Sequence, residues 1–166
     1  MMGTADYYIS QLGLQEHVEG GYFKEIYKNP QKLNGQDLAV KGERLLSSSI
    51  YYLLKSGQYS KFHQLLFDEI WLFHMGSPLT IHMIDGNGEL KSSKLGIDID
   101  AGEMPQLTVP AGAIFAAEVI QDNSFSLVSC VTAPGFDYED FRIYSEEELI
   151  KRFPKHKAMI TKFNGK

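Results

Sequence analysis

Short alternating runs of apolar and polar residues, broken by glycine and proline, fill most of this chain. Such runs predict strands, because residues two apart on a strand share a face. The clearest is RLLSSSIYYLLK, residues 44–55. Leu46, Ser48, Ile50, Tyr52 and Leu54 fall on one face, and Leu45, Ser47, Ser49, Tyr51 and Leu53 on the other. Both faces mix small polar with apolar groups, which suits a barrel strand with a wet cavity on one side and packed neighbours on the other. PLTIHMID (78–85) and ELKSSKLGI (89–97) read as a hairpin joined by Asp85-Gly86-Asn87-Gly88. A strand carrying Tyr22, Phe23, Ile26 and Tyr27 follows a Gly-Gly turn, where close backbone approach or positive φ is expected. Pro30 to Gly42 reads as an exposed loop. GEMPQLTVPAGAIF (102–115) holds a strand between two turns. Strands over 116–120 and 124–132 are joined at Gln121-Asp122-Asn123, and a last one lies near Phe141 to Tyr144.

Helix is confined to the ends. Thr4 or Asp6 caps a short helix to about Leu12, which Gly13 ends. Ser145 with Glu148 forms a capping box for a second helix, which stops at Phe153 before Pro154. No internal repeat is visible. About eight to ten short strands with glycine and proline turns favour a sandwich or barrel.

One stretch combines this pattern with chemistry: GQYSKFHQLLFDEIWLFHMG, residues 57–76. Strand parity sends Glu69, Trp71 and Phe73 one way, and Ile70, Leu72 and His74 the other. His63 lies six residues before Glu69, a separation that suits two side chains meeting across a bent hairpin. The plainer reading makes His63 an interior histidine and Glu69 a solvated turn residue.

Size and charge narrow the classes. The chain of 166 residues is of ordinary single-domain length, with 43% apolar and 22% charged residues. A net charge of -5 and scattered basic residues give no footprint for polymeric nucleic acid. A phosphate or nucleotide ligand stays open, since local charge can oppose net charge. The single Cys130, in the apolar run SLVSCV, allows no internal disulfide and reads as a buried thiol. The opening residues MMGTADYYIS carry no basic or long apolar segment, so no signal peptide or membrane span is expected and a cytoplasmic location is the default.

Gly57, His63, Glu69 and Gly76 fall in register with the first cupin motif, a glycine, His-x-His, a glutamate and a closing glycine. Leu65 stands where the second histidine falls. The longer run FHQLLFDEIW, with EGGYF at 19–23, VPAG and APGFD, resembles an uncharacterised cupin-like family, the fifth cupin family, a relative of the sugar-nucleotide epimerase cupins. The likeness runs from about Tyr8 to about Pro154. It implies an all-β, cupin-type double-stranded β-helix, or jelly-roll barrel, over residues 1–166, with short terminal helices. It also implies a homodimer, since related cupins pair through N-terminal strands; the exposed side of GYFKEIY offers the surface.

A standard cupin metal site takes a fourth ligand from the second motif, at the position of Phe115. Leu65 and Phe115 cannot bind metal. A three-ligand site would need Gln106 or His74 to turn in, and parity sets His74 opposite Glu69 unless a bulge intervenes. No metal and no cofactor is therefore expected. Without a metal, His63 is the candidate general base, and Glu69 either orients it or serves as the partner acid if burial raises its pKa. This resembles metal-free epimerase cupins, in which a histidine removes a proton beside a sugar carbonyl and a tyrosine donates one. Tyr138, Tyr52 and Tyr59 are the tyrosine candidates, and Asp137 and Asp140 the remaining acids.

The candidate ligand contacts are Arg44, Trp71, Glu103, Gln106, Phe115 and Tyr138. Arg44 at a barrel mouth suits a carboxylate or phosphate, against the plainer reading of a surface salt bridge. Trp71 stacks on a ring or fills the core. The resulting expectation is a barrel that holds a small polar molecule, a sugar or nucleotide derivative, with metal-independent epimerase or isomerase chemistry. A non-catalytic binding protein and a metal-dependent cupin with an irregular ligand set are the alternatives.

Overall fold

In the computed structural model, which describes residues 3–165, the chain opens with helix α1 (Ala5–Leu12). Thr4 caps it by accepting a hydrogen bond from the Tyr7 amide, and Gly13 ends it at φ 65°. Strands β1 (Gln15–Glu16) and β2 (Tyr22–Lys28) follow. The stretch 30–42 is not a plain loop: it holds β3 (Lys32–Asn34) and a 3-10 turn over Gly35–Leu38. The run 44–55 is also not one strand. It splits into β4 (Glu43–Leu45), which pairs with β3, and β5 (Ser48–Lys55).

The chain continues through β6 (Tyr59–Leu65), β7 (Glu69–Gly76), β8 (Leu79–Ile84) and β9 (Leu90–Leu95). Then come β10 (Glu103–Met104), β11 (Gln106–Val109), β12 (Ile114–Val119), β13 (Phe125–Thr132) and β14 (Phe141–Ile143). Two six-stranded sheets result, in the orders β1-β2-β5-β13-β7-β11 and β10-β9-β8-β12-β6-β14. Every pairing is antiparallel except β9 with β10. Helix α2 (Glu146–Arg152) starts at the expected Ser145 cap. Beyond Pro154 the sequence resumes a helix that its pattern had not suggested, α3 (Lys157–Asn164). This is the jelly-roll barrel that the family resemblance implied, and one of the two architectures, sandwich or barrel, that the strand spacing favoured.

The inner faces of the two sheets meet in a core of Tyr52, Leu54, Trp71, Leu79, Ile81, Phe115 and Val128. The helices cover the outer faces. Tyr8, Ile9 and Leu12 of α1 pack on Leu53, Phe125 and Leu127. Ile160 and Phe163 of α3 pack on Phe62, Ile84 and Ala116. An amphipathic helix laid over a strand face in this way removes apolar side chains from water on both elements.

His63 and Glu69 do not meet across a hairpin. Strand β6 belongs to one sheet and β7 to the other, so the short link between them carries the chain across the barrel. A bulge in β6 matters as much. Between the pairs Ser60–Ala117 and His63–Phe115, Lys61 and Phe62 of β6 face Ala116 alone. Ser60 and His63, three apart, both turn inward as a result, which simple alternation forbids. Phe62 is left in the outer cluster under α3.

The turn from β1 into β2 reaches this strand. The Lys61 amide donates to the Glu19 carbonyl at 2.8 Å. Gly20 has φ 111°, and a Cβ there would lie 2.1 Å from the Tyr59 carbonyl oxygen. A Cβ on Gly21 would lie 2.8 Å from the Tyr52 hydroxyl. Gly20→Ala is therefore expected to lower the free energy of unfolding by about 2 kcal/mol or more, since both conformation and space oppose the methyl group. Urea denaturation checks this; a loss below about 0.5 kcal/mol contradicts the close approach.

Candidate active site

Strand faces and turns deliver side chains from both sheets into one cavity of about 220 Å3. Tyr52 and Ser48 come from β5, His63 and Leu65 from β6, Glu69 and Trp71 from β7, and Cys130 and Thr132 from β13. The turn before β2 adds His17 and Glu19, and β2 itself adds Phe23 and Glu25. Phe136, Tyr138 and Phe141 stand along the segment that leads into β14. Aromatic side chains and convergent polar groups share the walls, as in small-molecule sites.

His63 is 2% exposed. Its Nδ1 lies 2.7 Å from the Lys61 carbonyl oxygen. A carbonyl only accepts, so Nδ1 carries the proton and Nε2 holds the free lone pair. That Nε2 is 3.3 Å from Glu19 Oε2. The other Glu19 oxygen accepts from the Ser60 hydroxyl at 3.0 Å, and His17 Nδ1 stands 3.5 Å from Glu19 Oε2. Across the barrel, Glu69 Oε2 accepts the Trp71 indole N–H at 2.7 Å. The Trp71 ring meets Tyr52 edge-on at a centroid distance of 5.6 Å.

Burial sets the charge states. It pushes His63 down to about 4, against the opposing pull of the Lys61 carbonyl. It pushes Glu69 up to about 8, with the nearby Glu19 adding to the rise and the Trp71 N–H resisting it. Burial also raises Glu19, against the nearby His17 and its own hydrogen bonds, and lowers His17. The site thus favours uncharged forms throughout, as desolvation requires. Glu19 Oε2 thus stands 3.3 Å from the unprotonated Nε2 of His63, with burial opposing charge on both groups.

Among the expected site residues, the structure brings His63, Glu69, Trp71 and Tyr138 to the cavity. Phe115 sits behind His63, its ring centre 4.0 Å from the imidazole and 6.2 Å from Trp71, and is fully buried. Three others lie elsewhere. Arg44 is 5% exposed and does not line the cavity: Asp140 holds it at two points, Nε at 2.6 Å and Nη2 at 2.8 Å. It is a buried salt bridge, because its guanidinium is fully used within the protein. Glu103 is buried and accepts from the Asp98 amide at 2.9 Å, pinning the preceding loop. Gln106 is exposed on β11, at the sheet edge.

Of the tyrosines, Tyr59 packs outside the barrel against Phe163, and the Tyr52 hydroxyl donates to the Gly20 carbonyl at 2.8 Å. Neither offers a free proton to the cavity. Asp137 caps the 3-10 turn at Tyr138–Asp140, and Asp140 serves Arg44.

The residue that sequence reasoning missed is Glu19. Its signal was present in EGGYF: a carboxylate before two glycines that only a close backbone approach explains. Ser60 had no such signal, since it faces inward only because of the bulge. His74, beside a second irregularity in β7, points out of the cavity and meets Ser129 Oγ at 2.6 Å. With Leu65 and Phe115 at two ligand positions, the residues do not fit a cupin metal. Among the described residues no group of three or more His, Cys, Asp or Glu is placed to hold one.

Residues 6–144 match the family described as Cupin superfamily (DUF985), and the chain belongs to it. It is similar to the uncharacterized protein YML079W of Saccharomyces cerevisiae, 32% identical over an alignment of 154 residues that covers 86% of this chain and 76% of that one. Among solved structures it resembles protein SO0799 from Shewanella oneidensis, with a TM-score of 0.90, 44% identity and 98% of each chain covered. A hypothetical protein from Leishmania major aligns with a TM-score of 0.89 and 34% identity, over 98% of this chain and 99% of that one. Oxalate decarboxylase from Bacillus subtilis shares the fold alone, at a TM-score of 0.56 and 16% identity over 37% of its length. Among the described residues no helix is long and apolar enough to cross a membrane.

The charge states predict a pH signature. Between 4.5 and about 8 the folded chain keeps the Glu69 proton that the unfolded chain releases, so stability falls as pH rises. His63 acts oppositely between about 4 and 6.5, where the unfolded chain holds more protons and stability rises with pH. Only the carboxyl effect remains from 6.5 to 8. Unfolding free energy is expected to drop there by about 1–2 kcal/mol, and Glu69→Gln to flatten the drop by about 1 kcal/mol. Urea titrations of both proteins at the two pH values measure this, and an unchanged slope in the variant contradicts it.

Proposed function

We propose that the cavity binds a small polar molecule of monosaccharide size and moves a proton on it without a metal, as an isomerase or epimerase does. One observation carries this reading: a buried imidazole and a buried carboxyl line one cavity from facing sheets, and burial lowers the first to about 4 and raises the second to about 8. Paired groups with opposed pKa shifts are how acid and base roles are divided at neutral pH.

In this reading the substrate carries a carbon-bound proton next to a carbonyl. His63 Nε2 takes that proton, and Glu19 beside it stabilises the imidazolium that forms. Glu69 delivers its own proton to the carbonyl oxygen, giving the enol. Return of a proton to the other face or the neighbouring carbon completes the isomerisation, with no net change in redox state. Glu69 thus takes the acid role otherwise held for a tyrosine. Trp71, Phe23 and Phe141 supply apolar walls for a ring face.

A screen of sugars and related hydroxycarbonyl compounds by melting temperature identifies the ligand, since binding the folded state raises apparent stability. Incorporation of solvent deuterium into the hit then tests turnover. His63→Ala is expected to lower exchange by about 10²-fold or more with the fold retained. Glu69→Gln should reduce exchange more than affinity, whereas Trp71→Ala should mainly weaken binding. Binding with no exchange in the wild type favours the second reading, a protein that only holds its ligand, for which the largely apolar walls speak.

We also propose a homodimer. Beyond Phe23, β2 has no strand on its outer side among the described residues, and Ile26 and Tyr27 are exposed there. Light scattering is expected to give twice 18.7 kDa at micromolar concentration; a monomer mass contradicts it.

A further inference from the structure

The C-terminal helix ends on a side chain that reaches the strand of the candidate base. Asn164, the last residue of α3, turns back toward the bulge in β6. Its Oδ1 accepts the Phe62 amide N–H at 3.0 Å. Its Nδ2 donates to the Tyr144 carbonyl at 2.9 Å and, more weakly, to the Phe62 carbonyl at 3.4 Å. The Tyr144 amide donates to the Phe62 carbonyl at 3.3 Å, one step past the last β14–β6 pair, so the Phe62 amide faces the end of β14 and the asparagine supplies its partner there.

The position of that amide is what gives the contact a consequence. The Phe62 N–H and the Lys61 carbonyl are two ends of one peptide group. The carbonyl end accepts His63 Nδ1–H at 2.7 Å. Asn164 Oδ1, the peptide and the imidazole thus form one chain of hydrogen bonds with the peptide at its centre. Accepting at the N–H end polarises the amide and strengthens its carbonyl as an acceptor. It also fixes the plane of the peptide, and so the direction from which His63 is held.

We propose that Asn164 is a positioning residue that acts through the Lys61–Phe62 peptide to hold His63 in its Nδ1–H tautomer, leaving Nε2 free toward Glu19 and the cavity. The proposal rests on the reading of His63 as the base, but its test does not need a substrate. It assigns a role in the site to a helix beyond residues 6–144, the part of the chain that matches the family.

Nitrogen NMR of the full chain with 15N-labelled histidine reads the tautomer directly. In the wild type, His63 at pH 7 is expected to show a protonated Nδ1 and an unprotonated Nε2. Asn164→Ala should raise the ratio of the Nε2–H to the Nδ1–H form by up to about twofold, the share that cooperative polarisation adds to one hydrogen bond of ordinary strength. Asn164→Asp keeps an acceptor for the Phe62 amide and should hold the wild-type ratio, while losing the donor to Tyr144. A purely structural asparagine predicts the reverse pattern: both variants melt earlier, and neither changes the His63 tautomer. Asn164→Ser, too short to span to the amide, substitutes if the alanine variant does not fold. An unchanged tautomer ratio in the alanine or serine variant overturns the proposal. A normal tautomer with failed isotope exchange in the wild type would instead overturn the function and leave the positioning role standing.

Discussion

The site depends on how three residues of β6 are held. Lys61 is bound at its amide by the Glu19 carbonyl and at its carbonyl by the His63 ring, and Phe62 is bound at its amide by Asn164. A bulged strand has lost part of its ladder and must find other partners for its backbone groups. Here they come from the two ends of the chain, an N-terminal turn and a C-terminal helix. The same bulge turns Ser60 and His63 to one face and gives Glu19 its two contacts with β6.

Electrostatics follow from that placement. Glu19 is 6% exposed and Glu69 8%, so each carboxyl sits where water cannot stabilise its charge. Arg44, the buried guanidinium nearest in sequence to the cavity strands, is taken up by Asp140 and does not answer them. Neutral acid, neutral base and aromatic wall therefore belong together. Each is the form that costs least where burial removes water.

The fold was legible because it is written in local pattern. The Thr4 and Ser145 caps, the Gly13 stop and the Asp85–Gly88 turn each stand where their residue types placed them. Alternation placed Glu69 and Trp71 on one inward face and His74 outside. What failed involves residues far apart in sequence. Parity cannot see the bulge at Lys61–Phe62, and so could not bring Ser60 beside His63. Arg44 and Asp140 are 96 residues apart, and an unpaired reading of Arg44 made it a ligand contact. The link from His63 to Glu69 looked like a hairpin because its length suits one, yet the chain uses it to change sheets. Helix α3 was hidden by Pro154, which ends one helix and, through a 3-10 turn, opens another.

The Arg44–Asp140 clamp shapes what entry into the barrel costs. Asp140 lies in the segment carrying Phe136, Tyr138 and Phe141, whose rings pack on one another with centres 5.0–6.1 Å apart. A planar two-point contact fixes that segment against β4. The rim of the cavity is thus set before any ligand arrives. Under the proposed function, a guest would meet walls already ordered, and less of its binding energy would go to ordering the protein. Rigidity of this kind favours selection by shape, and the same feature that denies the cavity a cation supplies it with a mould.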